Sequence, residues 1–370
     1  MSVPESVAAD ALTEYQLHPA RMSFDNFLAL PLTERIWLAR RSGDGSSRMR
    51  ARDRARIFLA FSRPRTCVPM VFAFQLGLQF AGIGQSLHAT LGATAFFAIG
   101  MIANLFNIYS DIGEDSANMP MRVYHLIGYG RTRLLWHTTA LCVLTLATAA
   151  FAGPLFLGVI VLALVGAHQY SLRPLRLKER PVLGILLFAT VVAYPFGAIV
   201  ALAPDVWSRV TDPAFILACL YLLVWFCAKG LVKNVPDFAG DADVRLATSA
   251  TVWGSRTRAA RGAAVVTVAV YAGIALPVIA GAFPVRVLFA LLWLPLIIWQ
   301  GVRLIRAESM SEGNEVLRTD MLISTGFLAS LILLVEPTPA GLVVVALGAA
   351  LTVAADLLRL DSRTEEDSIS

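Results

Sequence analysis

Two short stretches of this sequence set carboxylates one helical turn apart. The first reads NxxxDxxxD through Asn107, Asp111 and Asp115, and the second supplies DxxxD through Asp237 and Asp241. An i, i+4 step drifts by only about 40° around a helix, so each set shares one face. Asp111 and Asp237, and likewise Asp115 and Asp241, are separated by the same interval, and each set closes a long apolar run. Four carboxylates and a carboxamide, with no imidazole or thiolate among them, are hard oxygen donors that suit Mg²⁺ rather than zinc or copper. Mg²⁺ is usually held by one or two carboxylates together with substrate phosphates, so the pattern implies a phosphorylated substrate. Basic residues stand close by. Arg122 follows the first set, Lys229 and Lys233 precede the second, and the loop Tyr170–Pro181 carries Arg173, Arg176, Lys178 and Arg180. Cations beside a bound diphosphate would stabilise charge as that group departs.

The elements that must position these residues are membrane helices. Of the 370 residues 57% are hydrophobic and 15% charged, with mean hydropathy +0.66; a soluble domain carries about 25% charged residues. Apolar runs lie at about 67–88, 89–109, 134–152, 154–169, 183–203, 213–234, 262–283, 285–304, 319–335 and 340–357. Most are long enough to span a bilayer core, which takes about 20 residues. Pro154, Pro213, Pro284 and Pro337–Pro339 mark tight connections. The expected fold is all-α: a polytopic membrane bundle of nine or ten transmembrane helices.

Charge orients the bundle. With the N-terminus inside and the runs alternating, only Arg209 and Arg286 of the 31 basic residues fall outside, as the positive-inside rule requires. The net charge of +5 is therefore a topology signal, and nucleic acid is not expected as a partner. The N-terminus and the long charged loops, with both acidic sets, are expected on the cytoplasmic side of a multi-pass integral membrane protein. Glu5, Asp10 and the absence of an early apolar run argue against a cleaved signal peptide. The polar arm 1–60 holds Phe27–Leu30 and Ile36–Leu38, which could lie on the membrane surface. Residues 61–357 form the expected transmembrane domain and 358–370 a tail. Cys67, Cys142, Cys219 and Cys227 lie in or beside apolar runs without a CxxC pair, and read as small buried residues. His88, His125, His137 and His168 show no metal spacing, and no GxxxxGK[ST] loop is present.

The NxxxDxxxD ending, the loop Tyr170–Lys178 and the block KNVPDFAGDADVRLAT together resemble the UbiA superfamily of intramembrane prenyltransferases, which includes UbiA-type terpene cyclases. The motif blocks cover about 80 residues, and the helix spacing agrees over roughly 60–335. The resemblance implies a helical bundle, typically of nine spans, around a central cavity in which Mg²⁺ binds an isoprenyl diphosphate. By position, Asn107, Asp111, Asp115, Asp237 and Asp241 would be the metal set. Arg122, Lys178 and Lys233 would contact the diphosphate, and Tyr170 would belong to the cap over the cavity. Two positions depart from the NDxxD and KDxxD of the family's aromatic prenyltransferases: Ile108 and Asn234 stand where those enzymes carry carboxylates. The stretch Arg122–Arg131 also departs from an RPLPSGR-like pattern.

The implied chemistry is Mg²⁺-assisted ionisation of an isoprenyl diphosphate, with transfer of the prenyl group to a lipophilic acceptor in the bilayer. An apolar cavity would shield the cation from water, and Phe106, Tyr109, Tyr221, Trp225 and Phe226 could stabilise it through their ring faces. The alternative is a cyclase that captures the cation intramolecularly, which Ile108 and Asn234 favour because cyclisation needs no activated acceptor. A transporter using intramembrane carboxylates is the third reading. It calls for acids near mid-membrane, whereas the acidic sets here end their helices.

Overall fold

The protein is described by a computed structural model over residues 22–47, 49–202, 207–243 and 246–360. Residues 1–21 and Arg48 of the expected arm, and 361–370 of the expected tail, lie outside the described residues. Helix is the regular structure throughout the described residues. Short helices α1 (Phe24–Ala29), α2 (Leu32–Arg40) and α3 (Ala51–Ser62) lead into α4 (Pro64–Phe80) and the long α5 (Leu87–Ser110). Two short helices, α6 (Ile112–Asn118) and α7 (Pro120–Tyr129), precede the pair α8 (Arg131–Ala152) and α9 (Pro154–Ser171). Next come α10 (Pro181–Gly197), α11 (Trp207–Val210), α12 (Pro213–Asn234) and the short α13 (Phe238–Asp243). The chain ends through α14 (Arg256–Ala272), α15 (Ala275–Ile279), α16 (Leu294–Arg306), α17 (Met310–Val335) and α18 (Pro339–Leu357).

Among the described residues, nine helical segments are long and apolar enough to cross a membrane, and the bent pair α3–α4 would make a tenth. Residues 340–357 fall in one of the nine, Pro339–Leu357. The run expected at 67–88 is the exception, because α4 stops at Phe80 and meets α3 at an angle of 51°. Pro64 causes the break. A residue before proline is driven out of the α region, and Arg63 adopts a left-handed conformation (φ 48°, ψ 61°). Other prolines start helices cleanly: Pro120, Pro154, Pro181, Pro213 and Pro339 occupy first turns, where the missing N–H costs nothing. Side chains cap α5, α14 and α17. Ser86 accepts from Ala89 N at 3.1 Å, and Ser309 with Glu312 forms a capping box on α17.

Lipid offers no hydrophobic force between spans, so close packing must hold them. Small residues permit it. A Cβ on Gly77 would fall 2.4 Å from the carbonyl oxygen of Phe196, so α4 and α10 meet backbone to backbone. The arm differs from its expectation as a surface-lying segment. Phe27 and Leu38 are wholly buried, with Ile108, Ile112, Val123 and Ile127, against α5, α6 and α7. Arg35 Nη1 donates to the Ser116 carbonyl at 2.9 Å. Burial of a Phe or Leu side chain from water contributes about 1.5–3 kcal/mol, which outweighs what a half-immersed amphipathic strip gains at a membrane surface. The arm thus braces the helices that carry the first acidic set.

Candidate active site

The first acidic set does not lie on one unbroken helix. Asp111 (φ −95°, ψ 21°) separates α5 from α6. The hydrogen-bond ladder nevertheless runs through the joint: Asp111 N donates to Asn107 O at 2.8 Å, and Asp115 N to Asp111 O at 2.7 Å. The i, i+4 register survives, so Asn107, Asp111 and Asp115 still share a face. The second set begins where Pro236 ends α12. Asp237 leads into α13, and Asp241 N donates to Asp237 O at 2.9 Å. Gly240 then brings the two sets together. A Cβ there would sit 1.7 Å from Asn118 Oδ1 on α6, so only glycine lets α13 press against α6 with Asp241 and Asp115 flanking the contact.

The nine residues assigned to metal, diphosphate and cap line one cleft: Asn107, Asp111, Asp115, Arg122, Tyr170, Lys178, Lys233, Asp237 and Asp241; Arg173, Arg176, Arg180 and Lys229 do not line it. The cleft encloses about 890 Å³ counted to its open mouth. Sequence reasoning missed several of its walls, among them Arg63, Asn104, Glu114, Asn118, Thr248 and Ser249. Asn118 carried a signal: it follows Asp115 by three residues and extends the same face.

Cations interleave with the acids. Arg122 Nη1 reaches Asp115 at 3.0 Å, both side chains being buried. Lys178 pairs with Asp111 and lies 3.6 Å from Glu114, while Arg176 pairs with Glu114. Burial works to lower the Lys178 pKa, but the facing Asp111 and Glu114 carboxylates more than offset this and raise it; Lys178 stays charged. Lys233 is different. Its Nζ lies 5.2 Å from the Phe188 ring and 6.0 Å from the Tyr170 ring, and it makes no salt bridge among the described residues. Asn107 Oδ1 accepts from Ser171 Oγ, and Asn234 Nδ2 donates to Ser249 Oγ at 2.8 Å.

The donor set fits a divalent cation that shares its coordination with a ligand. Among the described residues no three His, Cys, Asp or Glu side chains converge tightly enough to hold a metal by themselves, so phosphate oxygens and water would complete the shell, as is usual for Mg²⁺. Burial above all, with the charge of Asp111 opposing the relief given by Arg122, pushes Asp115 up to about 6. Burial and then the neighbouring Asp237 push Asp241 up to about 7. Asn118 Oδ1, buried at the α6–α13 contact, accepts no hydrogen bond among the described residues. Crowded carboxylates and an unsatisfied carbonyl oxygen are what a cation would relieve.

A carboxyl raised in the folded state favours folding while protonated. The contribution of Asp115 and Asp241 is complete below their ordinary value of 3.8 and is lost as pH climbs through about 6 to 7. In chelator the melting temperature of the detergent-solubilised protein is therefore expected to fall between about pH 5 and pH 7.5. Adding Mg²⁺ with pyrophosphate should remove most of that fall. A flat profile in chelator would contradict this electrostatic picture.

The cleft continues into a larger chamber of about 1730 Å³, again counted to its mouth. Arg63, Asn104, Asn107, Tyr170, Phe188 and Lys233 border both spaces. The chamber is apolar where it enters the bundle, through Met70, Ile99, Leu162, Val191 and Phe226. Of the five aromatic residues expected to face a cation, only Phe226 lines it. Trp225 is fully buried and stacks on Phe327 at 5.3 Å, Tyr221 packs against Phe283, Tyr109 lies under Arg131, and Phe106 meets His168. Phe188 and Tyr194 of α10 take their place. The four cysteines are all free thiols.

The model of the UbiA prenyltransferase family matches residues 67–326. Homogentisate phytyltransferase of Synechocystis sp. is 26% identical over 277 residues, covering 69% of this chain and 87% of that protein. Digeranylgeranylglyceryl phosphate synthase of Methanoregula boonei is 29% identical over 187 residues, covering 50% and 63%. Among solved structures, a UbiA homologue from Archaeoglobus fulgidus bound to GPP and Mg²⁺ shares the fold, with TM-score 0.54 and 20% identity over 78% of this chain and 99% of that one. This multi-pass integral membrane protein belongs to the UbiA prenyltransferase family.

Proposed function

We propose that the protein is a Mg²⁺-dependent intramembrane prenyltransferase that ionises an isoprenyl diphosphate and passes the prenyl group to a lipophilic acceptor. One observation carries this reading: two acidic sets, interleaved with cations, line a single cleft that opens onto an apolar chamber. Residues 61–357 carry the chemistry, with 1–60 as arm and 358–370 as tail. The basic loops support a cytoplasmic N-terminus and a cleft open to the same side.

Asp111, Asp115, Asp237, Asp241 and Asn107 would hold the metal, which supplies Lewis-acid charge to the diphosphate oxygens. Lys233, Arg122 and Lys178 bind those oxygens and stabilise the charge that grows on them as the allylic C–O bond breaks. The bonding electrons leave with the diphosphate, and the prenyl fragment becomes a cation in the chamber. Apolar walls keep water from it, and Tyr170, Phe188, Tyr194 and Phe226 offer ring faces. The acceptor then supplies the electron pair for the new bond and loses a proton.

A cyclase remains a competitor because Asn234, where related aromatic prenyltransferases carry a carboxylate, is an amide engaged with Ser249. Purified protein with Mg²⁺ and a panel of prenyl diphosphates, with and without lipid extract, separates the two by mass spectrometry. Prenylated lipid formed only with extract is the expected result. Cyclic hydrocarbons or alcohols formed without it would establish cyclisation, and no diphosphate release from any donor would overturn both.

A further inference from the structure

The chamber wall opposite the diphosphate cleft carries an ion pair that the reaction described above does not use. Lys229 Nζ on α12 lies 2.8 Å from Asp320 Oδ1 on α17, with the residues 4% and 7% exposed. Both line the chamber, and Asp320 is the only carboxylate that does so among the described residues. Oδ1 is taken by Lys229, which also sits over the Tyr271 ring at 4.8 Å. Among the described residues Oδ2 accepts no hydrogen bond, and the residue borders the chamber.

Such a pair is costly. Withdrawing two charges from water inside a membrane bundle is seldom repaid by their attraction, and a mere tie between α12 and α17 could be made with apolar side chains. The cleft supplies no base at the two positions where related aromatic prenyltransferases carry carboxylates: Asn234 is an amide, and Ile108 is buried hydrocarbon. Lys229 precedes Lys233 by one turn, which puts the pair roughly 6 Å deeper along α12 than the diphosphate-facing ammonium. This is the depth at which a molecule meeting the cationic prenyl carbon would present a polar group on its far side.

We infer that Asp320, oriented by Lys229, is the group that recognises the acceptor, through a hydroxyl that this lipophilic molecule carries. The inference rests on the prenyl-transfer reading. The hydroxyl donates to Asp320 Oδ2. As the allylic C–O bond breaks toward diphosphate, the hydroxyl oxygen, or a ring carbon conjugated to it, gives its electron pair to the prenyl carbon. The O–H proton passes to Asp320, leaving a neutral acid beside the Lys229 ammonium. A phenol and a glycerol-type alcohol share this chemistry, and the Lys229 contact holds the carboxylate in place for either.

The test uses the full chain in detergent with Mg²⁺ and geranylgeranyl diphosphate. Diphosphate release and prenyl transfer are measured separately, with an alkylhydroquinone and a monoalkylglycerol as the two hydroxyl probes. Asp320→Asn is expected to lower transfer by about 100-fold or more, as removal of a positioned base does, while release changes less than about threefold. The double variant Lys229→Gln with Asp320→Asn replaces the charges by neutral groups of similar size and should fold at least as stably. It should show the same split, which a structural tie would not produce. Transfer to one probe alone identifies the source of the hydroxyl. Wild-type release with transfer to neither probe, wild-type transfer rates in either variant, or release falling in step with transfer would each overturn the inference. No release from the wild type would instead overturn the prenyl-transfer reading beneath it.

Discussion

Asp111→Ala and Asp237→Ala are each expected to cut Mg²⁺-dependent diphosphate release by about 10³-fold, in protein that still folds. The two side chains come from acidic sets on different helices, yet they line one cleft. Each would leave the metal–diphosphate complex with one oxygen ligand fewer and one negative charge less. A loss of about 4 kcal/mol in transition-state stabilisation corresponds to that factor. Folding should survive because neither residue is fully buried: both are partly exposed in the cleft wall. Removing Asp111 leaves Lys178 with Glu114 at 3.6 Å, so no buried cation is stranded. A coupled pyrophosphate assay checks the rate, and the Mg²⁺-induced shift in melting temperature checks the binding. Wild-type release in both variants would refute the metal assignment. Loss in only one would mean that the two sets do not share the ion.

What was legible in the sequence follows from which signals survive averaging over a helix. Carboxylates near a membrane are costly, so Asp111, Asp115, Asp237 and Asp241 stand out against apolar runs, and their four-residue spacing fixes their face even across the break at Asp111. The spans were legible for the same reason, apart from α4, where the conformation forced on Arg63 by Pro64 bends the entry and shortens the helix. The chamber was not. A helix that is apolar all round gives no clue to which side faces inward. The aromatic residues of α5 and α12 therefore looked as eligible as Phe188 and Tyr194 of α10, which in fact line the space. Asp320 was hidden by position: it stands at the head of an apolar run, where a charge reads as the end of a loop. Only the long-range contact with Lys229, 91 residues earlier, reveals it as buried. The arm was misread because amphipathic character is the same whether the apolar face meets lipid or protein. Phe27 and Leu38 met α7.

Lys233→Met is expected to lower diphosphate release by about 100-fold while leaving the melting temperature unchanged or higher. The three cations assigned to the diphosphate are not equivalent. Arg122 and Lys178 are already paired with Asp115 and Asp111, so in the resting cleft their charges are balanced locally. Lys233 is held over two aromatic rings instead. Such contacts are worth about 0.5–2 kcal/mol, far less than a charge-assisted hydrogen bond to a diphosphate in a partly desolvated site. Its ammonium is therefore the one whose electrostatic work is done mainly on the ligand, and methionine keeps its bulk and its packing against Phe188. If Lys233 acts on charge that develops during bond cleavage, kcat falls and KM changes little. If it only anchors the ground-state diphosphate, KM rises and kcat holds. With the diphosphate in the cleft and the prenyl chain in the chamber, as proposed, the border position of Lys233 would set it nearer the bridging oxygen, where the leaving charge grows, than the terminal phosphate. The loss is accordingly expected in kcat, with partial recovery in Lys233→Arg. Steady-state kinetics with geranylgeranyl diphosphate decide between the two, and an unchanged kcat would move Lys233 from the chemical step to binding alone.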